Sequence, residues 1–254
     1  MIELQQVSKS FDGGRTEVVQ QVDLHIGQGQ FLVLLGESGC GKTTTLKMVN
    51  RLIEPTAGRI EVDGRDHRHI DPIQLRRSIG YVFQGIGLFA HMNVAQNIGV
   101  LPALLRWDAG RVRARVDELL QLVGLPPEAY RQRYPRQLSG GQQQRVGLAR
   151  ALSAGPRIML MDEPFGALDP LTRETLRNEF ARIHRQLGLT TVMVTHDVTE
   201  ALLMADRIAV MRSGRLVGCG APGDMMNEPP DDYVARLMQT PRQQADRLEA
   251  LVRS

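Results

Sequence analysis

The sequence is poor in cysteine, aromatic residues and lysine, and its apolar runs are short. Its two cysteines, Cys40 and Cys219, lie far apart in the chain, so they provide neither a disulfide framework nor the spacing of a metal site. This usage fits a reducing, cytoplasmic setting. The strongest apolar stretches, 31–35 and 158–161, have the length of strands and fall far short of the roughly 20 residues of a membrane span. We therefore expect another chain to supply any membrane-spanning part.

The charge pattern indicates no nucleic-acid partner. Lysine and arginine total 31 residues against 28 acidic ones, and Lys9, Lys42 and Lys47 are the only lysines. No arginine-rich run alternates with aromatic residues, which make up only 4% of the chain. A solvated, arginine-rich surface is the simpler interpretation. The first residues, MIEL, show neither the basic nor the apolar region of a signal peptide.

The 254 residues allow one large domain or two small ones. Alternating apolar residues predict strands within 2–35, and further strands are expected at 58–62, 79–83, 157–161, 189–194 and 208–211. Between about 86 and 155 the apolar spacing becomes helical, which indicates a helical subdomain inserted in an α/β domain. The pattern of residues 222–254 predicts short helices. We thus expect one domain over 1–225 and a short helical tail over 226–254.

A glycine-rich loop follows the apolar strand at 31–35 and precedes a helical pattern. Its residues are Gly36, Glu37, Ser38, Gly39, Cys40, Gly41, Lys42 and Thr43, followed by Thr44. They match the phosphate-binding pattern G-x-x-x-x-G-K-[ST] completely, in the strand–loop–helix context that the pattern requires. Glycines let backbone N–H groups curl around phosphates, Lys42 reaches the β and γ phosphates, and the Thr43 hydroxyl can ligate Mg²⁺.

Two adjacent acids end the apolar strand predicted at 157–161. Burying Asp162 and Glu163 at a strand end is costly unless a cation meets them, and Mg²⁺ is the obvious candidate. Asp162 would hold the ion, directly or through water. Glu163 could polarise the water that attacks the γ-phosphate.

A third motif lies before a helical pattern, in the segment LSGGQQQR at 138–145. Ser139 is a plausible helix N-cap, and Gly140, Gly141 and Gln142 follow it, so this is a second helix start suited to phosphate. One active site does not need two such starts, whereas two copies arranged head to tail do. The segment resembles the signature motif of the ABC ATPases. In that family, the signature residues of one subunit close over ATP held by the phosphate loop of the other.

At four further positions, the residue resembles the one found in that family. Phe11 matches the aromatic residue on which adenine stacks, although most members have tyrosine or tryptophan there. Gln84 matches the glutamine that touches Mg²⁺ and the attacking water, and Asp169 matches the D-loop within Ala167-Leu168-Asp169. His196 matches the switch histidine that contacts the γ-phosphate.

The resemblance covers residues 1 to about 225. It implies a RecA-like P-loop α/β core, an antiparallel β subdomain, an inserted helical subdomain and a homodimer that binds ATP and Mg²⁺ between its subunits. Glu163, His196 and Gln84 would be catalytic, and Thr43, Gln84 and Asp162 would hold the metal. It also implies permease subunits, an indirect link to a solute-binding protein, and a place on the cytoplasmic face of the plasma membrane.

A narrower resemblance concerns the solute. The segments YVFQGIGLFAHM at 81–92 and FGALDPLTR at 165–173 look like those of glycine betaine, choline and other quaternary-amine importers. Gly85 stands where a second glutamine is usual, and Ala90 where proline is usual. Many relatives carry a C-terminal pair of cystathionine-β-synthase-type regulatory modules, and we expect none in a sequence that stops at Ser254.

Three alternatives stay open at this point. The first is an importer of amino acids, methionine or another small solute, because the ATPase subunit rarely touches the solute. The second is a non-transport ABC ATPase, although such proteins carry a long coiled coil or two cassettes, and this sequence has neither sustained heptads nor a second cassette. The third is a catalytically silent binding module, against which the presence of Glu163 and His196 argues.

Overall fold

A computed structural model describes residues 1–85 and 87–253, with the backbone only for residues 242, 244, 245, 248, 250, 252 and 253. Ile86, part of the segment compared with quaternary-amine importers, lies outside the described residues. The chain divides into two compact units. The first comprises Met1–Ile70 with Val192–Ser254, and the second comprises Asp71–Thr191.

The described residues form ten strands and ten α-helices. The strands are β1 (Ile2–Ser10), β2 (Glu17–Ile26), β3 (Phe31–Leu35), β4 (Ala57–Val62), β5 (Arg65–Asp66), β6 (Ile79–Val82), β7 (Ile158–Asp162), β8 (Thr190–Thr195), β9 (Arg207–Arg212) and β10 (Arg215–Gly220). The helices are α1 (Lys42–Val49), α2 (Pro72–Ser78), α3 (Val94–Leu104), α4 (Ala109–Leu122), α5 (Pro127–Tyr130), α6 (Gly140–Ala151), α7 (Pro170–Leu187), α8 (Val198–Met204), α9 (Pro222–Asn227) and α10 (Asp232–Arg253).

The first unit contains a four-stranded antiparallel sheet in the order β2-β1-β4-β5. Its register places Ile2 opposite Ile26 of β2 and Val62 of β4, and all three side chains are buried. Buried and exposed residues alternate along β2, as expected for a sheet with one face on the core. This sheet is the antiparallel β subdomain that the resemblance implies.

A second layer of the first unit is built on β3, which pairs in parallel with β9. All five residues of β3 are buried, as expected for a strand covered on both faces. Strand β9 continues into an antiparallel hairpin with β10, and α8 packs on β3. The carboxyl end of β3 leads directly into the glycine-rich loop, which therefore lies at the strand edge where parallel sheets bind ligands.

The C-terminal part of the first unit departs from expectation in two ways. Strand β10 has the sequence RLVGCG, whose two glycines weaken a strand pattern, and the sequence did not predict it. Helix α10 spans 22 residues and runs through Pro241, although proline inside a helix usually ends or kinks it. The expectation of only short helices over 222–254 was therefore wrong for α10.

The second unit combines a parallel strand pair with a group of helices. Strand β6 pairs with β7, with Val82 opposite Met161, and helices α3, α4 and α6 pack on one another. Several helices of this unit start at a side chain that accepts a backbone N–H of the first turn. Asn93 caps α3, Asp108 caps α4, Ser139 caps α6 and Asp169 caps α7. Such caps stabilise a helix start by about 1 kcal/mol each, so these starts are encoded locally.

The predicted strands at 58–62, 79–83, 157–161, 189–194 and 208–211 agree with β4, β6, β7, β8 and β9 to within one residue at each end. Over residues 1–85 and 87–253, no helix is both long enough and apolar enough to cross a membrane.

Candidate functional site

The glycine-rich loop joins β3 to α1 through backbone that only glycine adopts freely. Gly36, Gly39 and Gly41 have φ angles of 152°, 79° and 102°, in the region that favours glycine. A Cβ atom at Gly36 would also lie 2.2 Å from the carbonyl oxygen of Met211. The loop can therefore pass close to β9 only because Gly36 has no side chain.

Lys42 folds back over this loop. Its side chain is 5% exposed, and its Nζ donates to the carbonyl oxygens of Gly36 and Glu37, each at 2.7 Å. Gly41 is the N-cap of α1, and among the described residues no side chain caps this helix. The loop thus offers a cation together with the positive end of a helix, which is the combination that binds phosphate.

Two other segments of the first unit support the loop, and sequence reasoning missed both. The Gly214 amide, in the turn between β9 and β10, donates to the Cys40 carbonyl at 3.2 Å. Tyr233 of α10 is buried, and the Arg212 guanidinium lies 4.9 Å from the centre of its ring. Burial raises the pKa of the Tyr233 phenol, and the nearby Glu37 carboxylate raises it further. No local pattern could have revealed these contacts, because their partners are distant in sequence.

His196 follows β8 and is exposed. The residue before it, Thr195, donates its hydroxyl to Oε2 of Glu200 at 2.6 Å and accepts from the Asp197 backbone N–H at 3.1 Å. Both Thr195 and Glu200 are buried. The histidine therefore projects from a segment that buried hydrogen bonds hold in place, and Glu200 was not singled out from the sequence.

Phe11 lies in the loop after β1 with 61% of its side chain exposed. Lys9 Nζ lies 5.0 Å from the centre of its ring. The loop is held by Asp12, whose carboxylate accepts from the Thr16 backbone N–H at 2.8 Å, and this bond is the main reason that the pKa of Asp12 falls to about 2. A large exposed aromatic ring on an ordered loop suits base stacking.

In the second unit, the carboxyl end of β7 brings the acids and the glutamine together. Asp162 is 3% exposed, whereas Glu163 is partly exposed. Gln84 Nε2 donates to Oε2 of Glu163 at 3.2 Å. Glu163 has a φ of 45°, a conformation that costs a non-glycine residue roughly 1–2 kcal/mol. Such strain is typical of functional positions.

Tyr81 of β6 lies near the same acids and was not predicted as a site residue. Its hydroxyl is buried and makes no hydrogen bond to any described residue. Burial raises the pKa of Tyr81, and the negative charge of Asp162 raises it further. Its ring centre lies 4.5 Å from that of Phe83.

The signature segment forms the start of α6. Ser139 Oγ accepts from the Gln142 N–H at 3.3 Å, and the Gln142 side chain accepts from the Ser139 N–H at 3.0 Å, which is a capping box. Ser139 and Gly140 are exposed, and Gly141 and Gln142 are partly exposed. This helix start is therefore open to a ligand.

Asp169 begins α7 beside this segment. Its Oδ1 accepts from the Thr172 N–H at 3.0 Å, and hydrogen bonds from Thr172 lower the pKa of Asp169. A Cβ atom at Gly141 would lie 2.5 Å from Cγ2 of Thr172. The D-loop and signature segments thus meet in the second unit.

The predicted residues are divided between the two units. The first unit carries Phe11, Gly36, Glu37, Ser38, Gly39, Cys40, Gly41, Lys42, Thr43, Thr44 and His196. The second unit carries Gln84, Ser139, Gly140, Gly141, Gln142, Asp162, Glu163 and Asp169. Cys40 is buried, Thr43 and Thr44 are partly exposed, and residues 37–39 are exposed.

Comparison with known proteins identifies the family of the chain. The family model described as "ABC transporter" matches residues 19–166. The chain is 49% identical over 258 residues to the glycine betaine/carnitine/choline transport ATP-binding protein OpuCA of Bacillus subtilis (strain 168), covering 99% of this chain and 67% of OpuCA. It is 51% identical over 237 residues to the glycine betaine uptake system ATP-binding protein YehX of Escherichia coli (strain K12), covering 93% of this chain and 76% of YehX.

A solved dimeric ATP-binding cassette, in a post-hydrolysis state with ADP and Pi, has the same fold. It superimposes with a TM-score of 0.78 at 33% sequence identity, covering 87% of this chain and 99% of the cassette. The predicted P-loop α/β fold is therefore confirmed.

Proposed function

This chain belongs to the ABC transporter family, and from that premise we propose that it hydrolyses ATP to drive import of a quaternary-amine osmoprotectant such as glycine betaine or choline. Separate permease subunits would carry the solute across the membrane. The observation that carries the proposal is the 49% identity to a glycine betaine/carnitine/choline transport ATP-binding protein over 99% of the chain. The chain spans about two thirds of that relative's length.

The phosphate loop accounts for nucleotide binding. The Lys42 ammonium exchanges its loop carbonyl partners for the β and γ phosphates, and the amides at the start of α1 donate to the same oxygens. The exposed ring of Phe11 stacks on adenine. These groups bind the nucleotide in both the ground state and the transition state, so they contribute mainly to affinity.

Hydrolysis depends on the residues at the ends of β7 and β8. Glu163 polarises the attacking water, and Gln84, already hydrogen-bonded to Glu163, orients it. His196 contacts the γ-phosphate, where charge develops in the transition state. Positioning and charge neutralisation supply most of the catalysis, because phosphoryl transfer needs little covalent chemistry from protein groups.

The donor atoms suit Mg²⁺. The Thr43 hydroxyl, the Asp162 carboxylate and the Gln84 amide provide the oxygen ligands that this ion prefers, together with phosphate oxygens. In the described ranges, no cluster of three or more His, Cys, Asp or Glu side chains could hold a metal ion. When bound, Mg²⁺ neutralises charge on the phosphates.

Two copies of the chain complete each site. Ser139 and Gly141 of a second copy cap the ATP held by the phosphate loop of the first. The Ser139 oxygen accepts the capping bond from Gln142, so its own proton is available for a phosphate oxygen. Adjacent backbone amides at the start of α6 add the positive end of a helix.

The permease docks on the second unit. Several large apolar side chains there are substantially exposed: Phe83 (47%), Phe89 (42%), Leu104 (57%) and Leu105 (37%). Phe83 and Phe89 line one groove, and contiguous exposed apolar groups are typical of interaction surfaces. Phe83 precedes Gln84 in the chain, so docking couples the permease to the catalytic glutamine. We therefore propose a peripheral location on the cytoplasmic face of the plasma membrane, where ATP is available.

Transport by the assembled complex tests the proposal. The chain would be purified with the permease proteins encoded beside its gene and reconstituted in vesicles with the matching solute-binding protein. We expect ATP-dependent uptake of labelled glycine betaine, choline or carnitine, and no uptake with Lys42→Ala. Uptake of methionine or another amino acid instead would overturn the solute assignment alone. Failure of the complex to consume ATP would overturn the ATPase assignment.

A further inference from the structure

A buried hydrogen-bond network surrounds the exposed His196. Thr195, the last residue of β8, and Glu200, in the first turn of α8, are 2% and 3% exposed. The Thr195 hydroxyl donates to Oε2 of Glu200 at 2.6 Å. The same hydroxyl oxygen accepts from the backbone N–H of Asp197 at 3.1 Å. The network therefore spans the histidine from the residue before it to the residue after it.

This geometry restricts the backbone of His196. The bond from the Asp197 N–H to Thr195 Oγ1 closes a turn across the histidine, a local arrangement that side-chain hydroxyls stabilise. Because the hydroxyl proton goes to Glu200, a lone pair of the oxygen faces the Asp197 amide. A change in the Thr195 rotamer would break both bonds at once, so Glu200 selects the rotamer that keeps the turn closed.

The far end of the network lies in a helix. Asp197 Oδ1 accepts from the N–H groups of Thr199 and Glu200, at 2.8 and 3.2 Å, and so caps α8. A buried carboxylate costs free energy unless it is hydrogen-bonded, and the first turn of a helix favours negative charge. An apolar side chain at position 200 would avoid the cost of burying a carboxylate, but it could not accept the Thr195 hydroxyl.

We propose that Thr195 and Glu200 are positioning residues that hold His196 in the orientation required for ATP hydrolysis. This inference rests on the proposed function, in which His196 contacts the γ-phosphate. Both residues are buried, so we expect neither to touch the nucleotide itself. A displacement of about 1 Å in a positioned group can cost on the order of a hundredfold in rate. The loss should appear in turnover and leave nucleotide affinity intact.

Thr195→Val tests the proposal, because it keeps the shape of the side chain and removes the hydroxyl. We expect kcat of the full chain to fall by roughly ten- to a hundredfold, with KM for ATP and nucleotide affinity changed by less than about twofold. Thr195→Ser should restore most of kcat because it retains the hydroxyl. Glu200→Leu should lower kcat as Thr195→Val does, and Glu200→Gln should lower it less because its amide oxygen still accepts.

A matched control lies on the same strand. Thr191 is buried, and its hydroxyl is hydrogen-bonded to Nδ1 of His184 at 2.9 Å. Thr191→Val also removes a buried hydroxyl, with one described hydrogen bond where Thr195→Val removes two. We expect both variants to lose thermal stability, Thr195→Val more than Thr191→Val, with kcat unchanged only in Thr191→Val. Equal losses of kcat would indicate a general effect of destabilising β8 and would overturn the proposal.

A double-mutant cycle with His196→Ala separates this inference from the proposed function. If Thr195 acts through the histidine, Thr195→Val should reduce kcat no further when His196 is already absent. A full additional loss would contradict the proposal, as would a wild-type kcat in Thr195→Val beside an impaired His196→Ala. A fully active His196→Ala would instead overturn the catalytic role of His196 and this inference with it.

Discussion

Gly141 lies in the first turn of α6, at its contact with α7. A Cβ atom here would lie 2.5 Å from Cγ2 of Thr172, whereas the next nearest atoms, Cβ of Thr172 and Cδ1 of Leu176, lie 3.9 and 4.0 Å away. A single methyl group therefore accounts for the whole overlap. Gly141→Ala tests the packing of these two helices on each other.

Two effects oppose each other in Gly141→Ala. Alanine should stabilise the helix by about 1 kcal/mol relative to glycine, and the overlap should cost about 1–3 kcal/mol, as overpacking does elsewhere. We expect a net loss of up to about 2 kcal/mol in the free energy of unfolding. For a chain of this size that corresponds to a fall in Tm of up to about 8 °C.

Thr172→Ser removes the clashing Cγ2 atom and retains the hydroxyl. In this background Gly141→Ala should be neutral or stabilising, so a double-mutant cycle should give a coupling free energy of about 1–3 kcal/mol. Gly140→Ala is the matched control, because the nearest atom to its Cβ would be Cδ2 of Leu168 at 3.9 Å. Urea or thermal unfolding without nucleotide measures all four variants. Additive effects, or an equal loss in Gly140→Ala, would refute this account of the contact.

Three further predictions concern the site and the pH dependence of stability. Glu163→Gln should preserve ATP binding and trap the closed dimer while nearly abolishing turnover, and a wild-type rate of ATP hydrolysis would show that the assigned base is wrong. Lys42→Ala should weaken ATP binding, and unchanged affinity in a direct titration would count against the role of the phosphate loop. Burial lowers the pKa of His67, which is fully buried, so the unfolded chain takes up the proton first as pH falls below about 6.5. Thermal stability should therefore decrease from pH 7.5 to 5.5, and a His67→Gln variant that decreased equally would contradict this assignment.

Local sequence patterns predicted much of the secondary structure. Strand β3 and residues 158–161 of β7 are continuous apolar runs, and Ser139 was expected as a helix N-cap, whose partner lies three residues away. The glycine-rich loop could also be recognised from the sequence, because its positive φ angles require glycine at fixed positions. Strand β10 and the length of α10 were missed because glycines and Pro241 contradict the local preference for those structures.

By itself, then, the sequence determined the positions of the phosphate loop, the acid pair and the signature segment along the chain. Each is a short run of residues whose types indicate its chemistry. Only the tertiary structure decided which distant groups support them. Gln84 donates to Glu163 across 79 positions of sequence, and Met211 requires Gly36 to be glycine. Even Glu200, five residues from Thr195, could not be recognised, because burial is a property of the folded chain. Packing brings together groups that no local pattern relates, so their hydrogen bonds exist only in the folded chain.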